Sequence, residues 1–123
     1  MNQPTILVID DHVSLANAFS LVLQRAGFQV HVANSAEHGL RLAQEHRVNA
    51  VILDLRMPFI NGAGFLYRLR ALPAHAATPV MVVTGTTIDE EMASELAELG
   101  AVVRYKPLDI ARLLSEVDAL LAA

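Results

Sequence analysis

Continuous apolar runs alternate with segments of helical periodicity along the whole chain. Runs of strand length stand at 6–9, 48–53, 79–83 and 102–103, with a weaker one at 30–33. Between them, apolar residues recur every three or four positions, as on one face of an amphipathic helix. The pattern therefore predicts five β-α units in succession. Because most strands are apolar throughout rather than alternating, they favour a parallel sheet covered on both faces, and right-handed crossovers then give a doubly wound α/β sandwich.

Residues that cap helices mark several of the predicted boundaries. Gly27 stands where the first helix would end in a left-handed turn, and Ser35 can cap the second helix. Thr87, followed three residues later by Glu90, has the spacing of a capping box for the fourth helix, and Asp109 can cap the last. The stripes predicted to face the sheet are Leu15, Ala18, Phe19, Val22 and Leu23 on the first helix, and Ile110, Leu113, Leu114, Val117, Leu120 and Leu121 on the last.

The size and composition of the chain predict a single domain over residues 1–123. Its residues are 54% hydrophobic, enough to close one core without disulfides, and none is cysteine. Nine basic and 13 acidic residues give a net charge of −4, which argues against direct nucleic-acid binding. The apolar runs are shorter than the ~20 residues of a membrane span, and the amino terminus lacks signal-peptide features. A cytoplasmic protein that does not contact the membrane is therefore expected.

Polar side chains follow four of the predicted strands at the point where each strand ends. Asp10 and Asp11 follow the first strand, Asp54 the third, Thr84 the fourth and Lys106 the fifth. The carboxyl ends of parallel strands share one edge of the sheet, so these side chains should converge. Clustered carboxylates repel one another, so they either raise a pKa or bind a hard cation, and oxygen ligands suit Mg²⁺. Such a set could support phosphoryl transfer, with Asp54 as the nucleophile.

The same residues form a set of short motifs in a characteristic order. The motifs are Asp10-Asp11, then Asp54-Leu55-Arg56-Met57-Pro58 with Gly62, then Thr84-Gly85, Gly100-Ala101 and Lys106-Pro107. With this set the chain resembles the receiver domain of two-component response regulators, from the first strand to the last helix. The resemblance implies a flavodoxin-like receiver fold with the five strands in the order 2-1-3-4-5 and helices on both faces.

The resemblance also implies roles for individual residues. Asp54 would take a phosphoryl group from a sensor histidine kinase or a phosphotransfer protein. Mg²⁺ would be bound directly by Asp11 and Asp54 and by the backbone carbonyl of Arg56, and through water by Asp10. Thr84 and Lys106 would each contact a phosphoryl oxygen. Two further features are implied: Gly85 would leave space for the phosphoryl group, and the Lys106-Pro107 peptide would be cis.

The implied output is a signal rather than turnover of a substrate. A receiver catalyses only its own phosphorylation and dephosphorylation, and it signals to a downstream effector, or through a homodimer formed on phosphorylation. The implied signalling face consists of the fourth helix, the fifth strand and the fifth helix.

One segment departs from the receiver pattern. Receivers usually place six positions between the alanine of the Gly-Ala pair and the lysine, whereas here the interval is 106 − 101 = 5. The position three before Lys106 usually holds an aromatic switch residue, but here it is Val103. Tyr105 has the same strand parity as Val103 and is the local aromatic substitute. The usual coupling between threonine and aromatic ring is therefore not expected at position 103.

Three alternative functions remain open on the sequence. A phosphohydrolase of the haloacid-dehalogenase type also uses an aspartyl nucleophile and Mg²⁺, but it needs an acid two residues after the nucleophile, where this chain has Arg56. A nucleotide or flavin binder would have a glycine-rich turn after the first strand, which is missing from the sequence. A degenerate receiver that only docks a partner is the third, although every phosphorylation residue is present.

Other charged residues are predicted to lie at the surface. His12 is interpreted as a solvated or helix-capping residue rather than a ligand. The histidines predicted to be at the surface are His31, His38, His46 and His75. The acidic residues of the fourth helix are Asp89, Glu90, Glu91, Glu95 and Glu98. These form either a solvated face or a surface that pairs with Arg104 or Arg112 of a dimer mate or partner.

Overall fold

The computed structural model describes residues 3–54, 62–85 and 87–122. The strands are β1 (Thr5–Ile9), β2 (Gln29–Ala33), β3 (Ala50–Asp54), β4 (Val80–Thr84) and β5 (Ala101–Tyr105). The helices are α1 (Val13–Arg25), α2 (Ala36–Glu45), α3 (Gly62–Ala71), α4 (Glu90–Glu98) and α5 (Ile110–Ala122), with a 3-10 turn at Pro73–His75. All pairings are parallel, in the order β2-β1-β3-β4-β5. The predicted fold class and strand order are confirmed.

Two apolar layers, one on each face of the sheet, hold this arrangement together. One layer joins α2, α3 and α4 to the sheet and includes Ala43, Phe65 and Leu96. The other joins α1 and α5 to the opposite face and includes Leu23 and Val117. β1, β3 and β4 are buried along their whole length, whereas the edge strands β2 and β5 are partly exposed. Apart from Thr5, Asp54 and Thr84 at their ends, the central strands are apolar, as expected where both faces of a sheet are covered.

The predicted helix ends are correct with one exception. Ser35 Oγ accepts the His38 N–H at 3.1 Å, Asp109 Oδ1 accepts the Arg112 N–H at 2.7 Å, and Gly27 has φ +100° after α1. The prediction for Thr87 is wrong, because α4 begins at Glu90 and its cap is Asp89, whose Oδ1 accepts the Met92 N–H at 2.7 Å. A carboxylate at this position caps the helix and also complements its dipole.

The predicted buried stripes need correction at two positions. On α1, Ala18 is exposed, and the fully buried residues are Ala16, Ser20 and Leu23. On α5, Ile110 is 62% exposed because it is the first residue of the helix and lies past the end of β5. The predicted helical periodicity is therefore confirmed, but the face of each helix that is buried depends on how the helix packs on the sheet.

The histidines are less uniformly exposed than predicted. His75 is buried at 3% exposure, with Nε2 2.7 Å from Ala43 O and Nδ1 2.8 Å from Thr78 Oγ1, because the 3-10 turn directs it beneath α2. His31 and His38 are half-buried, and His31 stacks on the exposed His46 with ring centroids 4.2 Å apart.

Within the described ranges, no helix is both long and apolar enough to cross a membrane.

Candidate functional site

Four of the predicted site residues meet at the carboxyl edge of the sheet. β1, β3, β4 and β5 lie side by side, and their ends carry Asp10, Asp54, Thr84 and Lys106. Ile9 is in register with Leu53, so Asp10 and Asp54 occupy equivalent positions on adjacent strands. Asp10, Asp54 and Thr84 are all buried. The four strand ends that were predicted to converge therefore lie at one edge of the sheet.

Lys106 connects two of the strands that form the site. Its Nζ lies 2.7 Å from Asp54 Oδ2, and both side chains are largely shielded from solvent. Its backbone N–H donates to Thr84 O at 2.8 Å. An ammonium held so close to a buried carboxylate balances its charge, and the backbone bond fixes where the lysine side chain starts.

The two oxygens of the buried Asp10 carboxylate differ in their surroundings. Its Oδ1 accepts the backbone N–H of His12 at 2.8 Å, whereas the buried Oδ2 has no hydrogen-bond partner among the residues that the structure describes. Burial raises the pKa of Asp10, and the charge of Asp54 and a side-chain hydrogen bond with it add to this, while the His12 N–H and the Lys106 charge act in the opposite direction. An unpartnered buried carboxylate oxygen beside a second carboxylate is the kind of position that a hard cation would satisfy.

The structure describes one of the two remaining predicted metal ligands. Asp11 is exposed, and Arg56 lies outside the described residues. Within 3–54, 62–85 and 87–122, no three or more histidine, aspartate or glutamate side chains are grouped closely enough to form a metal site. The ligand set of Asp10, Asp11, Asp54 and the Arg56 carbonyl therefore stays a prediction.

The loops around the site agree with three smaller expectations. A Cβ at Gly85 would come no closer than 3.9 Å to Lys106 Cδ, so there is space beside the lysine. The Lys106-Pro107 peptide is cis, as the resemblance implied. His12 is the N-cap of α1, and its Nδ1 accepts the Leu15 N–H at 3.3 Å, in agreement with its interpretation as a helix-capping residue.

The alternating faces of β5 determine where the three residues before Lys106 lie. Val103 is partly buried against the α2-α3-α4 layer, whereas Tyr105 is 47% exposed and is in register with Thr84 on β4. Arg104 points to the other face, where its Nε bonds Glu116 of α5 and its Nη1 donates to the carbonyl of Val103. Arg104 is thus engaged within its own chain.

Comparisons with known proteins place this architecture in one family. The response regulator receiver domain family matches residues 6–118. The transcriptional regulatory protein PrrA of Mycobacterium tuberculosis is 32% identical over 123 residues, covering 98% of this chain and 51% of that protein. The probable chemotaxis protein CheY of Rhizobium etli is 30% identical over 120 residues, covering 96% of this chain and 92% of that protein.

Solved structures agree with the sequence relatives. The chemotaxis protein CheY4 of Vibrio cholerae superposes with a TM-score of 0.91 at 29% identity, covering 98% of this chain and 100% of that chain. The chain spans about half the length of several of the curated relatives it matches. The haloacid-dehalogenase alternative is not favoured by these comparisons. The chain belongs to the receiver domains of two-component response regulators.

Proposed function

We propose that Asp54 is the phosphoacceptor of this receiver and that it takes its phosphoryl group from a phosphohistidine of a sensor histidine kinase or phosphotransfer protein. The observation that carries the proposal is the Lys106 Nζ to Asp54 Oδ2 contact of 2.7 Å, beside a buried Asp10 oxygen that makes no hydrogen bond to any described residue. Asp54 therefore has the positive charge of Lys106 and the buried carboxylate of Asp10 as neighbours. This arrangement suits the transfer of a charged group onto a carboxylate.

The chemistry follows from the positions of these side chains. An oxygen of Asp54 forms a bond to phosphorus while the bond from phosphorus to the donor imidazole nitrogen breaks, and the departing imidazole takes up a proton from water. Lys106 is close enough to pair with an oxygen of the new phosphoryl group, and Thr84 ends the strand between β3 and β5, where its hydroxyl can bond another oxygen. Catalysis of this kind consists mainly of positioning and charge balance.

Mg²⁺ is the proposed cofactor, because the aspartates at this edge of the sheet offer the oxygen ligands that it prefers. Asp10, Asp11, Asp54 and the carbonyl of Arg56 would hold it, and when bound it would neutralise charge on the transferring phosphoryl oxygens. The buried Oδ2 of Asp10, which makes no hydrogen bond to any described residue, supports the binding of a cation at this position. We expect Asp11→Ala to abolish the rise in melting temperature that Mg²⁺ produces in the wild type, and an unchanged Mg²⁺ titration would contradict the ligand assignment.

The partners proposed are those of a signalling module in the cytoplasm. The chain would catalyse only its own phosphorylation and dephosphorylation, and would pass the signal through the α4-β5-α5 face to an effector or through a homodimer formed on phosphorylation. The net charge of −4 supports a function without direct nucleic-acid binding. Residues 1–123 are proposed to form one receiver domain, which matches about half the length of several relatives.

Intact-mass measurement after incubation with acetyl phosphate and Mg²⁺ tests the phosphoacceptor. The wild type should gain one adduct of roughly 80 Da, the mass of one phosphoryl group on an aspartyl nucleophile. Asp54→Asn should gain none, and Asp118→Asn, which alters an exposed aspartate on α5, should behave as the wild type does. An Asp54→Asn variant that gains the same adduct would refute the assignment.

A further inference from the structure

Arg70, near the end of α3, binds three backbone carbonyls at the edge of the sheet opposite the phosphoacceptor. Its Nε donates to Leu99 O at 2.8 Å, and its Nη1 donates to His75 O at 2.9 Å and to Thr78 O at 2.6 Å. Leu99 is the C-cap of α4, followed by Gly100 at φ +79°. Burial lowers the pKa of Arg70 from its ordinary value, in keeping with a guanidinium inside the fold. A cation bound to the last carbonyls of a helix also complements the negative end of its dipole.

The helix that carries Arg70 and the 3-10 turn that it contacts are both firmly packed in the fold. α3 packs through Leu66 and Leu69, which are fully buried. The 3-10 turn is held beneath α2, because the buried His75 side chain bonds Ala43 O at 2.7 Å and Thr78 Oγ1 at 2.8 Å. The carboxyl end of α4 is therefore joined to α2, α3 and the start of β4 through charged and buried hydrogen bonds.

The amino end of α4 is held much less firmly. Leu96, in the last turn, is the one fully buried residue of this helix. Glu90 and Glu91 in the first turn are exposed, and Met92 is only partly buried. The cap is an exposed bond from the Met92 N–H to Asp89. Segments with few buried contacts and exposed backbone bonds open at lower free energy than packed ones. This end also follows the loop that leaves Thr84 at the phosphoacceptor site.

We propose that Arg70 is a positioning residue that makes α4 pivot about its carboxyl end, so that phosphorylation moves the acidic first turn and leaves Leu99 in place. The role in signalling rests on the proposed phosphorylation of Asp54. α4 has nine residues and is ~13 Å long at 1.5 Å per residue, so a tilt of about 10° would move its amino end by ~2 Å. The output is then a displacement of the charged residues near Asp89 rather than a shift of the whole helix.

Amide hydrogen exchange and amide chemical shifts over residues 88–100 test the pivot, with and without Mg²⁺ and beryllofluoride as the phosphoryl mimic. In the free wild type, amides near Ala93 should exchange faster than those near Leu99. Beryllofluoride should change the amide chemical shifts near Ala93 strongly and those near Leu99 little. In Arg70→Met, protection at Leu99 and Gly100 should fall by about tenfold or more, as expected for loss of hydrogen bonds from a charged donor, and the beryllofluoride shifts should extend to the carboxyl end.

Two further variants separate this role from simple stabilisation. Arg68→Met removes the same charge from an exposed position on the same helix and should leave both profiles unchanged. Arg70→Lys keeps the charge but not the planar fork, so it should give an intermediate profile, and it carries the test should Arg70→Met fail to fold. Arg70 variants that lower the melting temperature but keep the wild-type pattern along α4 would overturn the pivot.

The outcome for the pivot can be distinguished from the outcome for phosphorylation. Equal exchange at the two ends of α4 in the free wild type would overturn the pivot whatever beryllofluoride does. A normal gradient that Arg70→Met abolishes, together with no response of the wild type to beryllofluoride, would support the anchor and count against Asp54 as the phosphoacceptor.

Discussion

Asp10→Asn should stabilise the metal-free protein, because it removes a buried charge that lies beside the Asp54 carboxylate and keeps the hydrogen bond from the His12 N–H. Asp10 is 1% exposed, and its Oδ1 accepts the His12 N–H, while its Oδ2 has no hydrogen-bond partner in the described part of the chain. An asparagine oxygen can accept the same N–H, and its amide can donate toward Asp54. An unsatisfied buried acceptor costs about 1–3 kcal/mol, so the free energy of unfolding at neutral pH should rise by about that amount.

The gain should depend on pH in a direction set by the raised pKa of Asp10. The pKa lies above the ordinary value of 3.8 in the folded state, chiefly because of burial. Between 3.8 and the raised folded value, the native state binds more protons than the unfolded state, so wild-type stability falls as pH rises through that window. The advantage of Asp10→Asn should therefore be full above the window and decline as the pH falls toward 3.8.

Urea and thermal unfolding with chelator, from about pH 4 to about pH 8, measure the effect. A gain of about 1 kcal/mol corresponds to roughly 3–5 °C in the melting temperature for a chain of this size. Added Mg²⁺ should stabilise the wild type more than the variant and narrow the gap. Asp118→Asn, at an exposed site on α5, is the matched control and should change little. The reasoning fails if Asp10→Asn is no more stable than the wild type at neutral pH, or if the control gains as much.

Three further variants address the packing, a histidine and the lysine. Gly39→Ala should lower the free energy of unfolding by up to about 2 kcal/mol. The new Cβ would lie 2.6 Å from Ile9 Cδ1, and such overpacking costs about 1–3 kcal/mol, whereas the gain in helix propensity is about 1 kcal/mol; a more stable variant in urea would contradict this. Burial, with a smaller contribution from His46, lowers the pKa of His31, so the unfolded state binds more protons and the free energy of unfolding should fall as the pH drops below 6.5. His31→Gln should make the free energy of unfolding less dependent on pH in this range, and an unchanged pH dependence would contradict this prediction. Lys106→Ala should still be phosphorylated by acetyl phosphate but show smaller beryllofluoride-induced amide shifts on the α4-β5-α5 face, and equal shifts would argue against a coupling role.

The sequence alone determined the architecture and the composition of the site edge. Apolar runs without alternation indicate strands covered on both faces, and parallel strands have only one edge at which their carboxyl ends meet. The convergence of Asp10, Asp54, Thr84 and Lys106 therefore follows from the order of the strands and the residues that end them. Caps such as Ser35 were also predictable, because a cap is a contact between residues three apart in the chain.

Features that depend on contacts between distant segments could not be predicted from the sequence. Thr87 and Asp89 both offer acceptable caps, and the path of the chain after β4 selects Asp89. His75 has an ordinary sequence context, yet it is buried because the 3-10 turn lies beneath α2. The hydrogen bonds of Arg70 join residues 5 to 29 positions apart, and all of them are to backbone carbonyls. Because every residue carries a backbone carbonyl, no pattern of side chains could predict them. Periodicity and capping chemistry are local properties of the chain, but the direction of a face and the partner of a buried polar group are set by packing.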